Sequence, residues 1–291
     1  GTQVVLTDSV AGIVRRAATY LAHGISIHLA GPPGVGKTTL ALYLARQRGR
    51  PVLLLHGDAS LTTAELVGAP LRFVRKLVVD EFVRSVYRRE ESLREQWVAN
   101  RLAVACRLGA TLVYDEFTRS RPEAHNALLP VLEEGVLPLP TAHGEVTLVE
   151  VHPDFRLILT SNPDETAGVF GVQQALLDRV VTLLLPGYRP EELVAIVSAR
   201  TGLAPELAGE IVRRIAARCP ARLRQAQASF LRPALVVARV AREEGLRLPG
   251  DDARLDELAD DVLAGLCLRD ARQEEGRKGG SGYEPAPAAL D

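Results

Sequence analysis

The chain of 291 residues contains no methionine, one tryptophan, three cysteines and almost no net charge, with 35 basic against 36 acidic side chains. A formal charge of −1 leaves no polycationic field to hold nucleic acid, and no helix-turn-helix appendage is recognisable, so a nucleic-acid partner is not expected. Cys106, Cys219 and Cys267 are widely spaced and form no CxxC pair, which reads as reduced, buried or incidental thiols of a cytosolic protein. The longest apolar runs are strand-sized, and no charged-then-apolar leader opens the chain, so no membrane span is expected and the cytoplasm is the expected location. The missing initiator Met before Gly1 fits numbering that starts after processing or trimming. No internal repeat is apparent. With 47% hydrophobic and 24% charged residues, the composition is that of an ordinary globular protein able to bury a core.

Lysine is the scarcity that points somewhere. Against 32 arginines there are only Lys37, Lys76 and Lys278. Lys37 closes Gly31-Pro32-Pro33-Gly34-Val35-Gly36-Lys37-Thr38, which fits the phosphate-cradling pattern G-x-x-x-x-G-K-[ST] at every fixed position. An ammonium is a compact charge on a flexible stem that fits between β- and γ-phosphates, where a planar guanidinium would not. The flanks agree: residues 25–30 read as a short buried strand and Thr38–Gln47 carries apolar residues at helical spacing. In a strand, loop, helix arrangement the N–H groups of Gly34, Val35 and Gly36 face phosphate oxygens, and the Thr38 hydroxyl is a Mg²⁺ ligand. Gly31 through Thr38, with Thr39, is thus the expected ATP-binding segment.

Three further segments complete a reaction site. Residues 110–116, ATLVYDE, are an apolar strand ending in two acids. Asp115 is expected to hold Mg²⁺ together with Thr38, and Glu116 to polarise the attacking water. Residues 156–162, RLILTSN, are another buried strand, and Asn162 at its end is expected to hold that water in line. Residues 175–179, ALLDR, form a short helical turn before the strand 180–185, and Arg179 is expected to act on a neighbouring subunit's nucleotide.

The order of these parts resembles an AAA+ ATPase. Residues 136–151, with VLPLP, a polar stretch and a second apolar run, look like the pre-sensor β-hairpin typical of the MoxR-like branch. Within that branch, residues 57–68 (GDASLTTAELVG), 75–86 (RKLVVDEFVRSV) and 97–140, above all DEFTRSRPEAHN, resemble the gas vesicle protein N family. The CbbQ and NorQ type shares the general layout. The resemblance covers about residues 1–245 and implies an α/β fold, a P-loop NTPase three-layer core with a parallel sheet and a small helical lid. It also implies an ATP hydrolase with ATP and Mg²⁺ as cofactors. The expected assembly is a homo-oligomeric ring, a hexamer, that remodels or chaperones gas vesicle shell or accessory proteins. Two alternatives stand beside it: a MoxR-type activator of a metalloenzyme, and an ATP-binding structural component of the vesicle shell without sustained turnover.

The expected division is a nucleotide-binding core over 1–186, a helical lid over 187–270 and a disordered tail over 271–291, whose charge, Gly, Ser and Pro are too poor in apolar residues to offset ordering entropy. Pro186 to Pro190 marks the break, and helical patterns follow at 191–200, 206–218, 231–244 and 256–266. In the family's lid an early arginine reaches the γ-phosphate. Arg232 is the expected one, because Pro233 suits a helix's first turn; Arg222 and Arg224 are the alternatives. Residues 69–96 mix basic and acidic side chains around an apolar stripe. They read either as a helix packed on its own domain or as a loop or helix that engages the partner protein, with Trp97 in the core.

Overall fold

The computed structural model describes residues 4–76, 91–140, 146–163, 174–219 and 230–264, and the side chains of 69–99 and 140 fall outside that description. In chain order the first elements are α1 (Asp8–Ala22), β1 (Ile27–Ala30), α2 (Lys37–Gln47), β2 (Val52–His56), α3 (Thr63–Val67), β3 (Gly68–Lys76), β4 (Glu91–Ala99), α4 (Arg101–Leu108) and β5 (Thr111–Asp115). A 3₁₀ turn at Phe117–Arg119 leads to α5 (Pro122–His125), α6 (Leu128–Glu133), β6 (Val136–Pro140), β7 (Val146–Glu150), β8 (Arg156–Ser161), α7 (Gln174–Leu177) and β9 (Val181–Leu184). The chain continues as α8 (Pro190–Thr201), α9 (Pro205–Arg218) and α10 (Leu231–Glu244), followed by a helix over 252–264.

The central sheet is parallel, in the order β2-β5-β8-β1-β9. Helices cover both faces, so these strands read as unbroken apolar runs rather than alternating ones. Successive side chains still point to opposite faces. Val113 and Ile158 pack with α1 and α2, whereas Leu112, Tyr114, Leu157 and Leu159 pack with α4, α6 and β6. The result is the three-layer α/β/α architecture expected of a P-loop NTPase of the AAA+ class. Among the described residues no helix is long and apolar enough to cross a membrane.

Two antiparallel strand pairs form separate small sheets beside the central one. The expected pre-sensor hairpin is β6–β7, paired from Val136 with Glu150 to Pro140 with Val146. Of the segment 69–96, read either as a packed helix or as a loop or helix that engages the partner protein, the described ends are strands: β3 and β4 pair from Gly68 with Ala99 to Lys76 with Glu91. The apolar and charged stripe at 77–90 lies outside the described residues, as does the Trp97 side chain.

The helices beyond Pro190 share a core with the sheet. Tyr188, Ile196, Val197, Ile211, Ile215 and Val237 belong to the same buried cluster as Ile13, Leu29, Leu40 and Leu44. On α9, Ile211 and Ile215 are buried and Leu207 packs against the cluster, as its spacing predicts. Arg214 of α9 pairs with Glu210 of the same helix at 2.7 Å and ties down the final helix through Asp252 and Asp256. Cys106 and Cys219 are buried, and burial pushes the Cys106 thiol up to about 12. Cys267, Arg222, Arg224 and the tail 271–291 lie outside the described residues.

Candidate nucleotide site

β1 delivers the phosphate loop and α2 receives it. Gly36 is the N-cap of α2 with φ 82° and ψ 28°, a left-handed conformation that glycine adopts without Cβ strain. It also brings no capping side chain, so the first-turn N–H groups of α2 are available to an anion. Lys37 is buried, at 7% exposure, and folds back on the loop, its Nζ donating to the carbonyls of Gly31 at 2.9 Å and Pro32 at 2.8 Å. Pro33, Gly34 and Val35 form the arch between these anchors, and Val35 is buried beneath it.

The end of β5 meets the start of α2. Thr38 Oγ1 donates to Asp115 Oδ1 at 2.7 Å, and Thr160 Oγ1 of β8 donates to the same oxygen at 2.6 Å. His56 Nδ1 lies 3.5 Å from the other carboxylate oxygen, because parallel pairing places His56 beside Asp115. Asp115 is therefore a buried acceptor held from several sides.

Glu116 is the only non-glycine residue with positive φ among the described residues, at φ 52° and ψ 42°. That conformation costs about 1 kcal/mol or more and persists because its surroundings enforce it. The Glu116 N–H donates to Thr160 Oγ1 at 2.9 Å, and Gly57 N–H donates to the Asp115 carbonyl at 2.7 Å. A Cβ on Gly57 would lie 2.0 Å from the Glu116 carbonyl oxygen, so this close approach requires glycine. The Glu116 carboxylate is half-exposed, with Arg119 Nε 2.7 Å away.

Asn162 follows β8 directly and is half-buried. The register pairs Ser161 with Ala30, so Asn162 leaves the sheet beside Gly31 at the root of the loop. Arg179 stands after α7, donating to Glu133 of α6 at 3.0 Å through Nε and to the Ala175 carbonyl at 2.6 Å. Arg232 is exposed near the start of α10. A cavity beside the loop is lined by Val35, Gly36, Thr39, Tyr188, Arg200 and Leu231, so Arg200 rather than Arg232 is the arginine on its wall.

Sequence reading missed several residues that hold the site. Thr160 was legible as part of the RLILTS strand, but only the β5–β8 register shows that it reaches Asp115. His28 of β1 is buried between Ser161 Oγ at 2.8 Å and Thr182 Oγ1 at 3.1 Å, and burial pushes its pKa down to about 4. It is therefore a neutral ring that joins three strands. Tyr188, Arg119 and Glu133 fall in segments singled out in the sequence, but none was read there as a residue that holds the site.

Comparison with known proteins follows the same outline. The AAA domain family (dynein-related subfamily) matches residues 26–180. Gas vesicle ATPase GvpN of Ancylobacter aquaticus is 44% identical over 268 residues, 92% of this chain and 75% of that protein. Gas vesicle ATPase GvpN of Haloferax mediterranei is 49% identical over 193 residues, 66% of this chain, and this chain spans 56% of its length. Among solved structures, the Thermotoga maritima RuvB Holliday junction branch migration motor matches with a TM-score of 0.52 at 16% identity, covering 90% of this chain and 70% of that one. At that identity the likeness is one of fold alone. The phosphate loop, the Asp115–Glu116 strand end and these relatives agree: the chain belongs to the gas vesicle ATPase GvpN family, a branch of the AAA-domain ATP hydrolases.

Proposed function

We propose that the protein hydrolyses Mg²⁺-ATP in a hexameric ring and uses the cycle to remodel gas vesicle shell or accessory proteins during vesicle assembly. The observation that carries this reading is the contact between Thr38 Oγ1 and Asp115 Oδ1 at 2.7 Å, at the N-terminus of α2. A hydroxyl and a carboxylate are hard oxygen donors, and their meeting beside an anion-binding helix start fits Mg²⁺ carried by nucleotide phosphates. Mg²⁺, when bound, supplies neutralisation of phosphate charge.

The side chains then have distinct tasks. Gly31 to Thr39 wrap the phosphates, and Lys37 exchanges its loop carbonyls for phosphate oxygens. Glu116 accepts a proton from the attacking water, and Asn162 orients that water. Arg179 reaches the γ-phosphate of the neighbouring subunit, and Arg232 approaches from the lid. An arginine supplied in trans is worth about 10³ to 10⁵ in rate, so an isolated subunit is a poor ATPase. Head-to-tail contacts of this kind close into rings. In this reading residues 1–186 are the ATP-binding core, 187–270 the lid that moves with the nucleotide state, and 271–291 a tail. The β3–β4 and β6–β7 hairpins grip the partner.

The test is steady-state ATP turnover by the full chain with and without a gas vesicle shell protein, beside Glu116→Gln. Stimulation by the shell protein that disappears in Glu116→Gln supports the remodeller. ATP binding without turnover that depends on Glu116 contradicts it.

A further inference from the structure

Tyr188 sits between β9 and α8, is 7% exposed, and donates its hydroxyl hydrogen to the carbonyl of Val35 at 2.7 Å. This bond joins the phosphate loop to a residue 153 positions away, at the root of the C-terminal helices. Its consequence follows from peptide geometry. The Val35–Gly36 peptide is planar and trans, so the Val35 C=O and the Gly36 N–H point in opposite directions. Whatever fixes the carbonyl also aims the amide. A peptide preceding a glycine with φ 82° has an accessible flipped state, because glycine tolerates both signs of φ. The bond from Tyr188 opposes that flip, which would leave a buried phenol hydroxyl unpaired.

The anchor itself is rigid. Arg189 N–H donates to Glu192 Oε2 at 3.0 Å, and Glu192, 5% exposed at the start of α8, accepts from Ser9 Oγ at 2.5 Å and from Ser9 N–H at 3.3 Å. The segment carrying Tyr188 is thereby tied to the first turn of α1. The Tyr188 ring also lines the cavity beside Val35, Gly36 and Thr39, together with Leu231 of α10.

We propose that Tyr188 is a positioning residue for phosphate recognition: its hydroxyl holds the Val35–Gly36 peptide with the Gly36 N–H toward the nucleotide phosphates, and so links loop geometry to the root of the C-terminal helices. The proposal rests on the nucleotide-site reading above. It also predicts a division of labour within one side chain, the ring serving the cavity and the hydroxyl serving the loop.

Tyr188→Phe separates the two. In the full chain, KM and kcat for ATP, ADP affinity, adenosine affinity by competition, and Tm are measured for wild type and variant. Loss of the hydroxyl is expected to raise KM for ATP and weaken ADP roughly 5- to 30-fold, with kcat changed less than about 3-fold, because the loop amide meets phosphate in ground and transition states alike. Adenosine, which carries no phosphate, is expected to bind the variant within about 2-fold of wild type, which also reports that the cavity has formed. An unchanged KM overturns the proposal, and so does an equal loss for ATP and adenosine, which would make Tyr188 a packing residue. If wild type binds no ATP, the nucleotide-site reading fails first, and that result is distinct from a variant with wild-type KM.

Discussion

Gly57→Ala is the substitution through which the position of Glu116 is tested most sharply. A Cβ at residue 57 would lie 2.0 Å from the Glu116 carbonyl oxygen and 2.8 Å from its carbon. An ordinary carbon-to-oxygen contact needs about 3.3 Å, so the two segments must separate by roughly 1.3 Å. Neither side yields easily. Gly57 N–H is bound to the Asp115 carbonyl at 2.7 Å, the Glu116 carbonyl accepts from Arg119 N–H at 2.9 Å, and the Glu116 N–H is bound to Thr160. A displacement of about 1 Å at a water-polarising group costs on the order of 10²-fold in rate. The overpacking itself destabilises by roughly 1 to 3 kcal/mol. The expected outcome is kcat lowered on the order of 10²-fold with ATP affinity within about 3-fold of wild type, since Lys37 and Thr38 are untouched. Single-turnover hydrolysis, equilibrium nucleotide binding and thermal unfolding measure the three quantities. Gly12→Ala on α1, where an added Cβ meets nothing within 4 Å, is the control and should leave kcat unchanged. If kcat of Gly57→Ala stays within about 2-fold of wild type, Glu116 does not need the conformation described for it.

Three other outcomes are expected. Thr160→Val removes both the donor to Asp115 and the acceptor for the Glu116 N–H, and should lower stability by about 1 to 3 kcal/mol and reduce kcat, whereas Thr160→Ser should retain most of both. Acidification should destabilise the protein through His28: the unfolded chain takes up a proton near pH 6.5, the folded one only near pH 4, so stability falls as pH drops through that window. The full loss is about 3 kcal/mol, and denaturant unfolding at several pH values should show it flattened in His28→Gln. His125, also lowered by burial, contributes in the same direction. Arg214→Ala should lower stability by roughly 1 to 2 kcal/mol, because its guanidinium is 15% exposed and holds Glu210, Asp252 and Asp256, while Arg213→Ala, 72% exposed, should cost less than about 0.5 kcal/mol.

What the sequence makes legible is what proximity along the chain encodes. The phosphate loop is one local turn, so spacing alone placed Gly31 through Thr38 between a strand and a helix. Asp115 and Asn162 were readable because each ends an apolar strand, and parallel strands in one sheet deliver their C-terminal ends to one edge. Thr160 was hidden because its contact with Asp115 depends on which residue of β8 stands beside β5. Tyr188 and Glu133 were hidden for the same reason, since each meets its partner across separate elements. The β3–β4 pairing was hidden too, because the match of Gly68 with Ala99 is a nonlocal choice that local spacing does not show.

The central claim is that each ATP site combines Glu116 of one subunit with Arg179 of the next. It is tested most directly by mixing two variants, Glu116→Gln and Arg179→Ala, in equal amounts and measuring ATP turnover against each alone. Each alone should be nearly inactive. In the mixture roughly a quarter of the interfaces regain an intact Glu116 and an intact Arg179, so turnover should return to about that fraction of wild type. A mixture as inactive as its components, or Arg179→Ala alone as active as wild type, would contradict a site shared between subunits.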